Sequence, residues 1–249
     1  MVLVFGSINL DFVSRVERFP SPGETVSGIS FAIYPGGKGA NQALASARAG
    51  APTRLVGAVG RDTFAATALI LLNAAGVDLS LVARVEQATG CATILVSDAG
   101  ENLIVSVPGA NALADPGTIS EALLTRSSTV SLQHELSADA NEALIRRARR
   151  NGSRIVLNAS PWRPLLVDAL CSVDYLVINE HEAAALAATR DWPPSPDELA
   201  LAAAHAVPGL TIVVTLGSQG ALAAHGSDML RVQAPSVRAI DTTGAGDAF

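Results

Sequence analysis

Short runs of Val, Ile and Leu, each about one strand long, alternate with stretches of helical periodicity along the whole chain. The runs are "VLVFGSI" (2–8), "RLVGAVG" (54–60), "TVSLQ" (129–133), "RIVLN" (154–158), "YLVIN" (175–179) and "TIVVTLG" (211–217). Between them the pattern predicts helices near 39–49, 62–75, 117–126, 138–150, 180–188 and 196–206. Strands that are apolar throughout belong to parallel sheets covered on both faces. Right-handed β–α–β crossovers are then the default connection. A length of 249 residues suits one large α/β domain or two small ones. With 49% apolar residues and only 4% aromatics, a sheet between helices is favoured over an aromatic-rich sandwich.

Two segments break the rhythm. Residues 11–34 hold alternating stretches interrupted by Pro20-Ser21-Pro22-Gly23, and 91–107 read as a hairpin around Asp98-Ala99-Gly100-Glu101. Together they predict a small antiparallel sheet apart from the main one, as a lid over a site or as an edge extension. The net charge is −6, and the basic cluster Arg146-Arg147, Arg149-Arg150 reads as a helix C-terminus complementing the dipole, not as a nucleic-acid surface. Cys91 and Cys171 form no CxxC, which points to a reducing, cytoplasmic compartment. The first residues read as a strand rather than a signal peptide, and no run is long enough to span a bilayer.

Several motifs can carry chemistry. In "GSINLD", Asn9 and Asp11 share one strand face, an amide and a carboxylate placed to bind vicinal hydroxyls or to form an Asx turn. In "YPGGKGANQA", glycines surround Lys38, and Lys38 and Asn41 share a helix face; a tight strand-to-helix turn is the plainer reading. The pattern is neither a Walker A loop nor GxGxxG. In "NEHE", Asn179 and Glu182 sit on the first turn of a helix after a buried strand, where dipole preference and ligand binding both place acids. "TLGSQG" (215–220) fits a phosphate- or ribose-binding turn, or an ordinary hairpin. In "DTTGAGDAF", the backbone N–H groups of Gly244, Ala245, Gly246 and Asp247 can form an anion hole, with the Asp247 carboxylate beside it as a base. No histidines pair at metal-ligand spacing, and no Ser/His/Asp order stands out.

In this order the motifs "GSINLDFV", "FPSPGETVSG", "YPGGKGANQA", "GENLIVSVPGAN", "NEHE" and "DTTGAGDAF" resemble the ribokinase-like, or PfkB, carbohydrate kinases from residue 2 to the last. The resemblance implies an α/β fold: a Rossmann-like three-layer αβα sandwich with a mainly parallel sheet, carrying a small β-sheet lid (about 11–34 and 91–107) within a single domain, 1–249. It implies ATP-dependent phosphorylation of a sugar, and the opening and "GENLI…GAN" elements point to D-ribose and its 5-hydroxyl. Asn9, Asp11, Gly37, Lys38, Asn41, Glu135 and Asp247 would hold the sugar. Family members more often carry Leu where His134 stands, beside Glu135. Asn179, Thr215, Gly217, Ser218, Gly220 and Gly246 would hold ATP. Glu182 would organise Mg²⁺ through water. Asp247 would be the base over an anion hole made by the backbone of Gly244, Ala245, Gly246 and Asp247. Asp241 and Thr243 would begin a K⁺ site. A homodimer through the lid is implied, with no nucleic-acid or membrane partner.

Family members continue for some tens of residues after "DTTGAGDAF". The expectation is therefore a domain lacking that C-terminal segment, and weak or no activity in the chain as it stands. Two other readings are a kinase of the same family acting on another sugar or a nucleoside, and a non-catalytic sugar-binding fragment.

Overall fold

In the computed structural model, which describes residues 1–164, 170–237 and 244–249, the first strand forms the axis of the main sheet. In chain order the strands are β1 (Val2–Phe5), β2 (Asn9–Val16), β3 (Gly28–Gly36), β4 (Thr53–Gly60), β5 (Asp78–Val85), β6 (Gly90–Ser97), β7 (Asn102–Val107), β8 (Thr129–Gln133), β9 (Arg154–Asn158), β10 (Tyr175–Asn179), β11 (Thr211–Thr215), β12 (Ala221–His225) and β13 (Asp228–Val232). The helices are α1 (Lys38–Arg48), α2 (Phe64–Ala74), α3 (Ala138–Arg150), α4 (Glu180–Arg190), α5 (Pro196–Ala206) and the short α6 (Ala245–Ala248). Among the described residues the main sheet runs β13-β12-β11-β10-β9-β8-β1-β4-β5. It is parallel from β5 to β11 and ends in the antiparallel hairpin β11-β12-β13.

Alternate residues of β1 face opposite layers. Leu3 and Phe5 join a core with α3, α4 and α5, while Val4 packs with α1 and α2. The strands β9, β10 and β11 behave differently. Ile155, Leu157, Leu176, Ile178, Ile212 and Val214 are buried, but Val156, Val177 and Val213 are only half-buried. On the second face α1 and α2 cover β1 and β4, and Val177 lines a cleft.

A correction concerns 117–126, where a helix was predicted. Single 3₁₀ turns occur at Pro116–Thr118 and Glu121–Leu123. The guanidinium of Arg147 donates to the carbonyls of Pro116 (2.8 Å) and Ile119 (2.6 Å) and pairs with Glu121 (2.8 Å). Those carbonyls are therefore held by a tertiary donor rather than by an i→i−4 ladder. Arg147, Arg149 and Arg150 of the cluster do lie in the last turn of α3.

The smaller sheet runs β3-β2-β6-β7. It is mixed rather than antiparallel, because β2 and β6 pair in parallel at its centre. Phe12 stacks on Phe31 and meets Phe64 of α2 edge-on (centroids 6.4 and 5.5 Å), anchoring this sheet to the main layer. Ile29, Phe31, Leu103, Ile104 and Val105 remain exposed.

Candidate active site

The site begins where α1 meets the exit of β1. Gly37 precedes α1 with φ +90°, and a Cβ there would lie 2.8 Å from both Asn9 N and Ser7 O. Gly39 crosses Gly6 at van der Waals contact; a Cβ on Gly39 would lie 2.5 Å from Gly6 Cα. Only residues without side chains let the helix start this close to the strand. The effect is to place Lys38 and Asn41 just beyond the C-terminal ends of β1 and β8. Gly39→Ala should therefore lower stability by about 1–3 kcal/mol through overpacking, seen as a melting temperature several degrees lower in thermal unfolding.

Lys38 and Asn41 both reach Asp247. Asn41 Nδ2 donates to Asp247 Oδ2 (2.8 Å), and Lys38 Nζ lies 3.5 Å from Oδ1. The Asp247 side chain is 8% exposed. Burial pushes its pKa up, offset by Lys38 and Asn41, while the charge of Glu135 raises it further. Glu135 sits opposite, accepting from Lys38 N (3.1 Å) and from the Ser7 hydroxyl. Ser7 Oγ also accepts from Gly39 N (3.3 Å). Ser7 was not among the predicted residues. It touches both Glu135 and the start of α1, and no spacing in the sequence signals that.

Asp11 completes a group of three carboxylates. Its pKa is raised to about 6, first by burial and then by the negative charges of Glu135 and Asp247. Asn9, on the same strand face, is buried, and its Oδ1 accepts from Asn111 Nδ2 (2.7 Å). His134 does not disturb Glu135. It is buried, its N–H donates to Ser160 O (3.0 Å), and its ring Nδ1 lies 3.2 Å from Pro161 O. Burial lowers its pKa to about 4, so the ring is neutral at pH 7.

On the other side of Lys38 and Asp247 lies a cleft of about 220 Å³ lined by both residues and by Asn158, Ser160, Asn179, Glu182, Thr215, Gly244 and Gly246 among others. Asn179 and Glu182 form a reciprocal capping box: Glu182 N donates to Asn179 Oδ1 and Asn179 N to Glu182 Oε2, both 2.9 Å. Thr215, at the end of β11, donates to Ile178 O (3.4 Å). Gly217, Ser218 and Gly220 form the 3₁₀ hairpin turn that follows, outside the cleft lining. Asn158 and Ser160 were not predicted; Asn158 Oδ1 is buried with no hydrogen-bond partner among the described residues.

At α6, the N–H groups of Asp247 and Ala248 both donate to Gly244 O (3.0 Å). Asp247 N–H is thus committed to the turn, which corrects the expected four-residue anion hole. The N–H groups of Ala245 and Gly246 have no partner among the described residues. Asp241 and Thr243 lie outside the described residues.

A buried carboxylate held by a lysine and an amide, beside a polar cleft and near two further carboxylates, is an arrangement that can accept a proton. The model of the pfkB family carbohydrate kinases matches residues 1–249. The chain belongs to that family. Among its relatives in the pfkB family are the ribokinases of Schizosaccharomyces pombe (39% identical over 266 residues, 100% of this chain and 82% of the relative) and Lactococcus lactis (36% over 251 residues, 100% and 80%). The chain is thus about four fifths of their length. A solved pfkB-family structure, Arabidopsis thaliana ribokinase complexed with ribose and ATP, superposes with a TM-score of 0.87 at 32% identity, covering 99% of this chain and 82% of that one. As a pfkB carbohydrate kinase, this chain is an ATP-dependent sugar kinase in fold and family.

Proposed function

We propose that this kinase transfers the γ-phosphoryl group of ATP to the 5-hydroxyl of D-ribose. The observation that carries the reading is Asp247, held by Lys38 and Asn41 at the cleft with the charges of Asp11 and Glu135 nearby. Similarity to ribokinases supports the choice of sugar. Asp11 and Glu135 accept from ribose hydroxyls, and Asn9, Gly37, Lys38 and Asn41 complete the sugar pocket. Asn179, Thr215, Gly217, Ser218, Gly220 and Gly246 face ATP. Asp247 takes the proton of the attacking hydroxyl. The N–H groups of Ala245 and Gly246, with Lys38, stabilise charge on the transferred group. Phosphoryl transfer asks mainly for such positioning and charge stabilisation.

Magnesium fits the site on two counts. Glu182 lines the cleft with a carboxylate, and Asn158 Oδ1 lies buried there without a partner among the described residues. Both are hard oxygen donors of the kind Mg²⁺ takes, commonly through water. When bound, the ion would neutralise phosphate charge. Glu182→Gln keeps the capping box but weakens that hold. The Mg²⁺ concentration for half-maximal rate should rise roughly tenfold, about 1.4 kcal/mol, with thermal stability little changed. An unchanged Mg²⁺ dependence would exclude Glu182 from this role.

Potassium activation through Asp241 and Thr243 belongs to the same proposal, as does a cytoplasmic location. No helix among the described residues is long and apolar enough to cross a membrane. We further propose a homodimer through the smaller sheet, supported by its exposed Ile29, Phe31, Leu103 and Val105; sedimentation analysis checks it. Function is tested by coupled ADP release against D-ribose, other sugars and nucleosides, with Mg²⁺ and K⁺. A preference for a nucleoside over ribose would overturn the assignment.

A further inference from the structure

Asn111 lies just past β7, in the 3₁₀ turn Gly109–Leu113, and is 3% exposed. Its Oδ1 accepts from Ile8 N (2.9 Å), and its Nδ2 donates to Ile8 O (3.2 Å) and to Asn9 Oδ1 (2.7 Å). The backbone of Ile8 fixes the sense of this chain of bonds. An N–H can only donate, so the atom of Asn111 facing it is the oxygen. A carbonyl can only accept, so the nitrogen of Asn111 faces Ile8 O. The atom of Asn9 that meets the same nitrogen must then be its oxygen. Asn9 Nδ2 is left pointing away, with no hydrogen bond to any described residue. Gly90 is what leaves room for the pair: a Cβ there would collide with Asn111 Nδ2 and Asn9 Oδ1 and sit 2.8 Å from Pro108 O.

We propose that Asn111 is a positioning residue that locks Asn9 as a donor toward the sugar. Asp11, on the same face of β2, is then the acceptor. One hydroxyl can accept from Asn9 and donate to Asp11, so the pair reads a hydroxyl in one sense only. The turn after β7 thereby sets hydrogen-bond polarity in the sugar pocket without touching the sugar. This rests on the reading that Asn9 contacts the sugar.

The test is a double-mutant cycle on the affinity for D-ribose, measured by calorimetry on the full chain, with thermal melting to verify folding. Asn111→Asp can accept but not donate, so the Asn9 amide turns round to meet it and presents its oxygen to the sugar. Ribose affinity should fall about tenfold or more. Asn111→Ala, which only releases the amide, serves if the first variant does not fold; it should cost about threefold. In an Asn9→Ala background the same Asn111 changes should have no further effect on affinity, because they act through Asn9. Equal losses in both backgrounds would mean a merely structural role, and no loss in either would also overturn the proposal. If Asn9→Ala leaves ribose affinity intact, the placing of Asn9 in the sugar pocket fails as well.

Discussion

Asp247→Asn should lower kcat by about 10²–10⁴-fold, the range for loss of a general base, while ribose affinity changes by no more than a few-fold. The amide keeps the volume of the carboxylate and can still accept from Asn41 Nδ2, now 2.8 Å away. What it cannot do is take a proton. The surroundings of Asp247 make that proton transfer feasible. Burial raises its pKa, and so strengthens it as a base, while Lys38 and Asn41 oppose that rise. A variant with near-normal kcat would remove Asp247 from proton transfer. A variant that loses ribose binding and turnover together would make it a binding group. Steady-state kinetics with ribose calorimetry separates these outcomes.

Asp11→Asn should weaken ribose binding by one to two orders of magnitude and at the same time stabilise the fold. The first effect follows from losing a charged acceptor for sugar hydroxyls. The second follows from the sign of the pKa shift. An acid raised from 3.8 to about 6 on folding takes up a proton as the chain folds between those pH values. Stability attributable to Asp11 therefore falls as pH climbs from about 4 to 6, and stays lower above that. Removing the charge recovers it. The full shift corresponds to about 3 kcal/mol, but Asp11 is only partly buried, and screening reduces the gain to about 1–2 kcal/mol. At pH 7 the variant should melt a few degrees higher. Ribose affinity of the unsubstituted protein should be level above pH 7 and fall about tenfold per unit below 6, where Asp11 must lose a proton to bind. That acidic limb should vanish in Asp11→Asn. A variant that is less stable at pH 7, or that keeps the limb, would contradict the account of the carboxylate group.

Much of this architecture can be read from the sequence, for specific reasons. The central strands are continuous apolar runs, and the helices after β8 and β10 open on side-chain caps, Ser137 and Asn179. Strands β5 and β13 escape such a reading because they lie at the edges of the main sheet and are half-buried or exposed. The 117–126 segment escapes it because Arg147, distant in sequence, takes the carbonyls a helix would have used. Within the site, period-two and i, i+3 spacing pair Asn9 with Asp11 and Lys38 with Asn41. Spacing cannot show that Lys38 and Asn41 meet a residue some two hundred positions away, nor that Ser7 ties Glu135 to the start of α1. The polarity of Asn9 is likewise settled by Asn111, 102 residues further on.

The central claim is that one chain brings ribose and ATP together at Asp247. It is tested most directly by ³¹P nuclear magnetic resonance of a reaction holding the protein, ATP, Mg²⁺, K⁺ and D-ribose. The account predicts ADP and ribose 5-phosphate in equal amounts, formed only when ribose is present and lost with Asp247→Asn. ATP consumption that yields inorganic phosphate regardless of ribose, or a phosphorylated product that the Asp247 variant makes at the full rate, would contradict it.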